Sequence, residues 1–201
     1  MTGRGPQVPS EACSAAGVAA HGLKPNATSS ALIETLESGK PISQARDEVS
    51  SAAGIWYYAA SLAQHAYGDA HNDLGPELPG GNGQGTHRGG RSDHTVELPL
   101  LIVSQKLPFA LAVGCTAVVK PSDLTPGTTT RLVQILHDEG LPNGVVKPGS
   151  RRWRCRRLAV GPSGTHMTTF TGSTGVGRMV AQAAAKDLKK VGLRAGRQNR
   201  R

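Results

Sequence analysis

The sequence has 201 residues, 37% of them hydrophobic and 3% aromatic, and it carries a formal net charge of +9. This length predicts one domain of ordinary size, and the composition predicts a core built from Ala, Val and Leu. Three cysteines without a CxxC pair argue against a disulfide framework, so we expect a reducing, cytoplasmic compartment. No apolar run reaches membrane length, so no membrane partner is expected.

The positive charge is concentrated in two short tracts. Lys147 and five arginines between residues 151 and 157 form the first, and four arginines within residues 194–201 form the second. The rest of the chain is close to neutral. Because the excess is local, we do not expect nucleic acid as a partner, although a basic nucleic-acid-binding protein is an alternative for these tracts.

The first part of the chain predicts helices after an irregular start. Residues 1–29 are rich in Ala, Gly, Ser and Pro and lack periodicity, which predicts a disordered or mismatched N-terminal tail. Ser30–Ser38 predicts a short helix, and apolar residues at spacings of three and four predict a longer one from Ile42 to Tyr67. The glycine-rich segment Gly75–Gly90 predicts a flexible linker.

The stretch from Leu98 to Leu136 predicts a helix, a strand, a loop and a second helix. Its apolar start predicts a buried helix ending at Gly114, and Cys115–Val119 predicts a buried strand. Thr125 is predicted as the N-cap of the second helix, with Pro126 at its first position. Such a succession is half of an open α/β sheet, in which ligands bind beyond the carboxyl ends of the strands.

A second strand-to-helix connection is predicted further along the chain. Met167–Thr171 predicts a strand and Val176–Lys190 a helix. The turn between them is rich in glycine and hydroxyl residues, namely Gly172, Ser173, Thr174, Gly175 and Gly177. Backbone N–H groups and the positive end of a helix dipole would then lie at the carboxyl edge of the sheet, which predicts a phosphate site.

Four segments of this sequence resemble the cofactor domain of the NAD(P)-dependent aldehyde dehydrogenases, and they occur in that family's order. They read ETLESGKPISQARDEV (34–49), VVKPSD (118–123), GLPNGVV (140–146) and FTGSTGVG (170–177). The resemblance implies an α/β fold, an incomplete Rossmann-like nucleotide-binding domain over residues 30–193 with a basic tail at 194–201. It also implies that a catalytic domain should follow, which this sequence does not contain.

The resemblance further implies NAD or NADP as cofactor and assigns residues to it. Lys120 and Asp123 would hold the adenosine ribose, and Lys120 could also meet a 2′-phosphate. The pyrophosphate would lie against the second glycine-rich motif, at Gly172, Ser173, Thr174 and Gly177. A surface turn that merely ends a strand is the alternative for Lys120 and Asp123. We predict weak or absent binding, because the sequence predicts too few strands to hold such a site.

The family's reaction oxidises an aldehyde to a carboxylic acid, and its catalytic groups are not found here. The resemblance places Glu97 where the family has the oxyanion-holding Asn, and Arg194 where it has the general-base Glu. The nucleophilic cysteine is missing, and Cys115 is predicted to be a buried core thiol. We therefore predict no catalytic residue, no metal ligand set, and a truncated, inactive copy; a non-catalytic nucleotide-binding or interaction fragment is the alternative.

The departures from the family share one property. The tracts near 86–98, 147–157 and 194–201 can each be back-translated so that reading one base later restores a family motif. For residues 93–99 (DHTVELP) the shifted reading gives Ile-Thr-Pro-Trp-Asn-Phe-Pro, which contains the missing Asn. We therefore expect that these tracts are frame-shifted segments of an ancestral gene.

Overall fold

The structure, a computed structural model, describes the chain in segments: residues 17, 19–63, 65, 69–71, 80–82, 90–93, 98–149 and 165–196. The helices are α1 (Ala27–Ser38), α2 (Ile42–Ala63), α3 (Pro99–Ser104), α4 (Leu107–Ala112), α5 (Gly127–Asp138) and α6 (Thr174–Ala185). The strands are β1 (Asp69–His71), β2 (Gly80–Asn82), β3 (Gly90–Asp93), β4 (Ala117–Lys120), β5 (Val146–Pro148), β6 (Met167–Ser173) and β7 (Lys190–Gly196).

The N-terminal helices follow the predicted pattern. Helix α1 ends at Gly39, whose φ of 73° is left-handed and whose N–H donates to the Thr35 carbonyl. The predicted apolar face of α2 is buried, at Ala45, Val49, Ala52, Trp56, Ala59 and Ala63. The Trp56 indole is fully buried and its Nε1–H donates to Ser104 Oγ at 3.0 Å, so this aromatic residue is satisfied within the core.

The predicted N-terminal tail is wrong for the residues that precede α1. Residues 19–23 are helical, and Ala19, Ala20 and Leu23 are fully buried in the main core. Small apolar side chains show little periodicity in sequence, yet they pack closely when a neighbouring helix covers them. Residues 1–16 and 18 lie outside the described part of the chain.

The predicted buried helix before Gly114 is two short helices. Helix α3 ends at Ser104 and α4 begins at Leu107, with Gln105 and Lys106 between them. Both helices carry a proline in the first turn, where a missing N–H breaks no helical hydrogen bond. Gly114 follows α4 with a φ of 77°, which turns the chain into β4.

Five parallel strands form the main sheet, in the order β5-β4-β3-β6-β7, and β1 pairs with β2 in a separate antiparallel ribbon. In chain order the five strands thus lie 3-2-1-4-5, the arrangement of a doubly wound Rossmann fold. The α/β fold class is confirmed. The order reverses between β3 and β6, and ligands of such sheets bind at that point.

Several strand predictions are corrected by the structure. Strands β2 and β3 fall within or directly after the segment Gly75–Gly90 that was predicted as a linker. The helix predicted to run to Lys190 ends at Ala185, and Lys190 begins β7. The basic tail predicted from residue 194 therefore starts within a strand that pairs with β6 through Gly196. Pairing in a parallel sheet is non-local, so short strands of mixed composition leave little trace in sequence.

Helices cover the sheet unevenly. Helix α5 packs on β5, α1 and α3, while α2 packs on α1, α3 and α4. Helix α6 packs on β6 and β7, where Phe170 and Val180 form a small separate cluster. Neighbouring strand residues point to opposite faces, so Thr169 lies on the other face of β6, toward α4.

Candidate nucleotide-binding edge

Lys120 and Asp123 lie together where β4 ends, as the sequence predicts. The Lys120 ammonium donates to Asp123 Oδ1 at 3.1 Å and to the Pro121 carbonyl at 3.0 Å. The Lys120 side chain is only 11% exposed, whereas that of Asp123 is 67% exposed. The ammonium is thus held by the loop itself, and the carboxylate faces solvent, where a ribose hydroxyl could donate to it.

The stem of Lys120 is fixed from the neighbouring strand end. The Gly149 N–H donates to the Val119 carbonyl at 2.7 Å, which extends the pairing of β5 with β4. A Cβ at Gly149 would lie 3.3 Å from Lys120 Cβ, so a larger residue would require the two strand ends to shift slightly apart.

The second motif forms the junction of β6 and α6, but not as the predicted turn. Strand β6 runs to Ser173 and the helix begins at Thr174, so Gly175 and Gly177 are helical, and Gly177 is buried. Ser173 is the N-cap, and its Oγ accepts from the Val176 N–H at 3.4 Å. A serine N-cap lets the helix start directly after the strand without a separate glycine turn. The helix N-terminus still faces the carboxyl edge of the sheet, as a phosphate site requires.

Gly172 is required by close packing on its own strand. A Cβ at this position would lie 2.6 Å from the tip of the Phe170 ring. Phe170 packs with Val180 of α6, so a displacement of the ring would change the contact of α6 with the sheet. The first glycine of the predicted pyrophosphate motif therefore sets the backbone path into Ser173.

The sheet register places the two parts on the same edge. Lys120 is aligned with Asp93 on β3, and Asp93 with Phe170 on β6. Since β3 alone separates β4 from β6, Lys120 and Phe170 are roughly 10 Å apart across the sheet. Ser173 lies three residues beyond the Phe170 level. Lys120, Asp123 and the N-terminus of α6 therefore flank the reversal of the strand order.

Helix α5 is capped by a side chain that the sequence did not indicate. Its first residue is Gly127 and its N-cap is Pro126, so the predicted cap by Thr125 is wrong, and Thr125 Oγ1 is buried without a hydrogen-bond partner. The Glu37 carboxylate of α1 takes that role, accepting from the Gly127 N–H at 2.7 Å. Ninety residues separate the two in sequence, which is why local reasoning missed the contact.

A mainly apolar cavity of about 630 Å³ lies beside α4 on the β6–β7 side. Its walls include Cys115, Lys106 and Arg194. Cys115 precedes β4 and is half-buried, so the predicted core thiol inside the strand is corrected. The Lys106 ammonium donates to Thr171 Oγ1 at 2.7 Å, which the sequence analysis missed although a lysine in an apolar run is a signal.

Other predicted features lie beyond what the structure describes. Glu97, Cys13, Cys155 and the basic tract at 151–157 fall outside the described residues. Within the described residues, no group of three His, Cys, Asp or Glu side chains could hold a metal ion. None of the described helices is long and apolar enough to cross a membrane.

The strand order and the two strand ends define a doubly wound α/β domain of the Rossmann type, and comparison with known proteins gives its family. The model of the aldehyde dehydrogenase family matches residues 95–200. Glutarate-semialdehyde dehydrogenase of Pseudomonas putida is 33% identical over 181 residues, with 83% of this chain and 35% of that protein covered. The NADP(+) succinate-semialdehyde dehydrogenase of Escherichia coli is 32% identical, with the same shares covered.

A crystal structure of an NAD-dependent aldehyde dehydrogenase from Sinorhizobium meliloti has the same fold. Its TM-score is 0.86 and its identity 36%, over 94% of this chain and 38% of that chain. The family model covers just over half of the chain, and the chain belongs to the aldehyde dehydrogenase family. It spans about 35% of the length of the relatives named above.

Proposed function

We propose that this chain binds an adenine dinucleotide, NAD or NADP, at the carboxyl edge of its sheet. One observation carries the proposal: Lys120 with Asp123 and the N-terminus of α6 flank the point where the strand order reverses. The Lys120 ammonium would donate to ribose hydroxyls or a 2′-phosphate, and Asp123 would accept from ribose hydroxyls. Ser173 and the first turn of α6 would meet the pyrophosphate. The donor set fits NADP(+), which the name of the Escherichia coli relative gives, and NAD, on which the Sinorhizobium meliloti enzyme depends.

The reason for expecting weak binding no longer holds. That expectation rested on too few strands, whereas the main sheet has five in the Rossmann order. The backbone of Gly149 also lies close to Lys120, since an added Cβ there would be 3.3 Å from Lys120 Cβ, and this restricts the stem of the proposed ligand-binding lysine. Binding does require Lys120 to exchange part of its contact with Asp123 for the ribose, which lowers the affinity but does not prevent binding.

We further propose that the residues of this chain do not catalyse the oxidation of an aldehyde. Arg194 lies on β7, exposed, at the place of the family's general base, and a guanidinium cannot accept a proton at neutral pH. Glu97 stands in place of the oxyanion-holding amide, and a carboxylate would repel an oxyanion. The aldehyde substrate implied by the family would then have no catalytic partner among these residues.

Calorimetric titration tests both parts. We expect NAD, NADP and ADP-ribose to bind, and Lys120→Ala to weaken binding about tenfold, the effect of losing one charge-assisted hydrogen bond. Lys186→Ala is the matched control, because it removes the same charge at the exposed C-terminal end of α6. No NADH or NADPH should form with aldehydes. Absence of binding at millimolar nucleotide, or equal affinity for Lys120→Ala, would contradict the binding proposal; turnover would contradict the second.

A further inference from the structure

The Glu37 carboxylate closes the N-terminus of α5 from a different helix. Its Oε1 accepts from the Gly127 N–H at 2.7 Å, and its Oε2 accepts from the N–H groups of Gly127 at 3.0 Å and Thr128 at 3.3 Å. A carboxylate at this position also opposes the positive end of the helix dipole. Two backbone donors that a local N-cap would normally satisfy are therefore satisfied across the interface of α1 and α5.

The local sequence offers no substitute for this contact. Pro126 is the N-cap residue and makes no side-chain cap, and Thr125 Oγ1 makes no hydrogen bond to the helix. The absence of a side chain at Gly127 leaves room for the Glu37 carboxylate, because a Cβ there would lie 2.7 Å from Glu37 Oε1 and 3.0 Å from Ile33 Cγ2. The N-terminus of α5 is therefore capped by Glu37.

The capped helix start is also one end of the loop that carries the proposed ribose site. Only residues 121–126 separate Lys120, at the end of β4, from Gly127. Within that loop, Ser122 Oγ accepts from the Leu124 N–H at 3.2 Å, a local contact at an exposed position. Lys120 contacts Pro121 and Asp123 at one end of the loop, and Glu37 holds the other end.

We infer that Glu37 is a positioning residue for the loop of Lys120 and Asp123, and so acts on nucleotide binding without touching the nucleotide. The inference rests on the proposed function for its nucleotide part. Glu37 also fills the anion position at the N-terminus of α5. The nucleotide phosphates are therefore directed to the N-terminus of α6.

The test compares Glu37→Ala and Glu37→Gln with a charge-matched control, Asp47→Ala, which removes an exposed carboxylate from α2. Affinity for NAD is measured by calorimetry well below the melting temperature of each variant. A helix cap is worth about 1 kcal/mol, so Glu37→Ala should raise the Kd about fivefold. Glu37→Gln keeps one acceptor without the charge and should fall between the wild type and Glu37→Ala. Asp47→Ala should leave the Kd unchanged.

Hydrogen–deuterium exchange supplies the second measurement. Glu37→Ala should accelerate exchange in residues 121–128 and leave α6 and β7 unchanged, which a general loss of stability would not do. An unchanged Kd in Glu37→Ala overturns the inference if the wild type binds NAD. If the wild type does not bind, the proposed function fails by itself. The hydrogen–deuterium exchange of Glu37→Ala then tests the positioning role of Glu37. Unchanged exchange in residues 121–128 overturns that role. If Glu37→Ala does not fold, both measurements are made on Glu37→Gln instead.

Discussion

Glu34 lies fully buried among α1, α2 and α3, where it shares one ammonium with a second carboxylate. Lys40 Nζ lies 3.1 Å from Glu34 Oε1 and also forms an ion pair with Glu48. Gln44 donates to the other oxygen of Glu48 at 3.0 Å, and the backbone N–H of Leu100 stabilises the Glu34 carboxylate. One cation for two buried carboxylates leaves part of the desolvation penalty uncompensated.

Burial of Glu34 should therefore make stability depend on pH. Desolvation raises its pKa above the ordinary value of 4.5, and the attraction of Lys40 offsets this only in part. Its contribution to stability is then fully present below pH 4.5 and is lost as pH rises through the raised pKa. Urea unfolding at several pH values should show Glu34→Gln gaining stability relative to the wild type as pH rises. The exposed Asp47→Asn should show no such trend, and a reversed trend would mean that the ion pair outweighs desolvation.

Two glycines of one motif should respond to alanine in opposite directions. Gly172→Ala places a Cβ 2.6 Å from the Phe170 ring, and such overpacking costs about 1–3 kcal/mol. Gly175→Ala meets no atom within 4 Å in the first turn of α6, and alanine there should stabilise the protein by about 0.5–1 kcal/mol. Chemical denaturation of both variants measures the difference. Equal effects would show that the phenylalanine ring does not constrain Gly172.

At the scale of secondary structure, helix ends were predictable only where they are local. The stop of α1 at Gly39 depends on a left-handed residue next to the helix, and the sequence predicts it. The start of α5 is capped by Glu37 of another helix, which the local sequence around Thr125 does not indicate. The apolar face of α2 was predictable because its period is that of the helix itself.

The dependence of α5 on a distant cap can be tested by a double-mutant cycle. Gly127→Ala should push the Glu37 carboxylate away and cost about 1–2 kcal/mol, the value of a lost cap. If that is the cause, the same substitution should cost much less in a Glu37→Ala background. Thermal unfolding of the four proteins gives the coupling. Additive effects would instead point to the clash with Ile33 as the main cause.

For the whole molecule, the sequence predicted the family and the strands that lead to Lys120 and Ser173, but not the complete sheet. Lys120, Asp123 and Ser173 were predicted as site residues because each lies in a short motif next to a strand of ordinary composition. Strands β3 and β7 were missed, since Gly90–Asp93 reads GRSD and Lys190–Gly196 reads KVGLRAG. Their place is set by pairing with β4 and β6, which no local pattern records.

The composition of β3 conflicts with its place in the fold. It lies in the middle of the sheet, paired with β4 on one side and β6 on the other. Central strands of parallel sheets are usually continuous apolar runs, and neighbouring β4 reads AVVK. Strand β3 contains no apolar residue larger than glycine, and it falls in one of the tracts that the sequence analysis expects to be frame-shifted.

The gene sequence should resolve this conflict. We predict that codons 86–98 are read one base out of the ancestral frame, bounded by a base gain and a compensating loss. The shifted motif Pro-Trp-Asn demands particular codons: Thr95 must be ACC, Val96 must be GTG and Glu97 must be GAA. Only one of the four valine codons permits the tryptophan, so sequencing this region is a stringent test. Any other codon at Val96 would refute the frame shift there. The polar central strand and Glu97 would then be properties of the protein and would need an explanation in its fold.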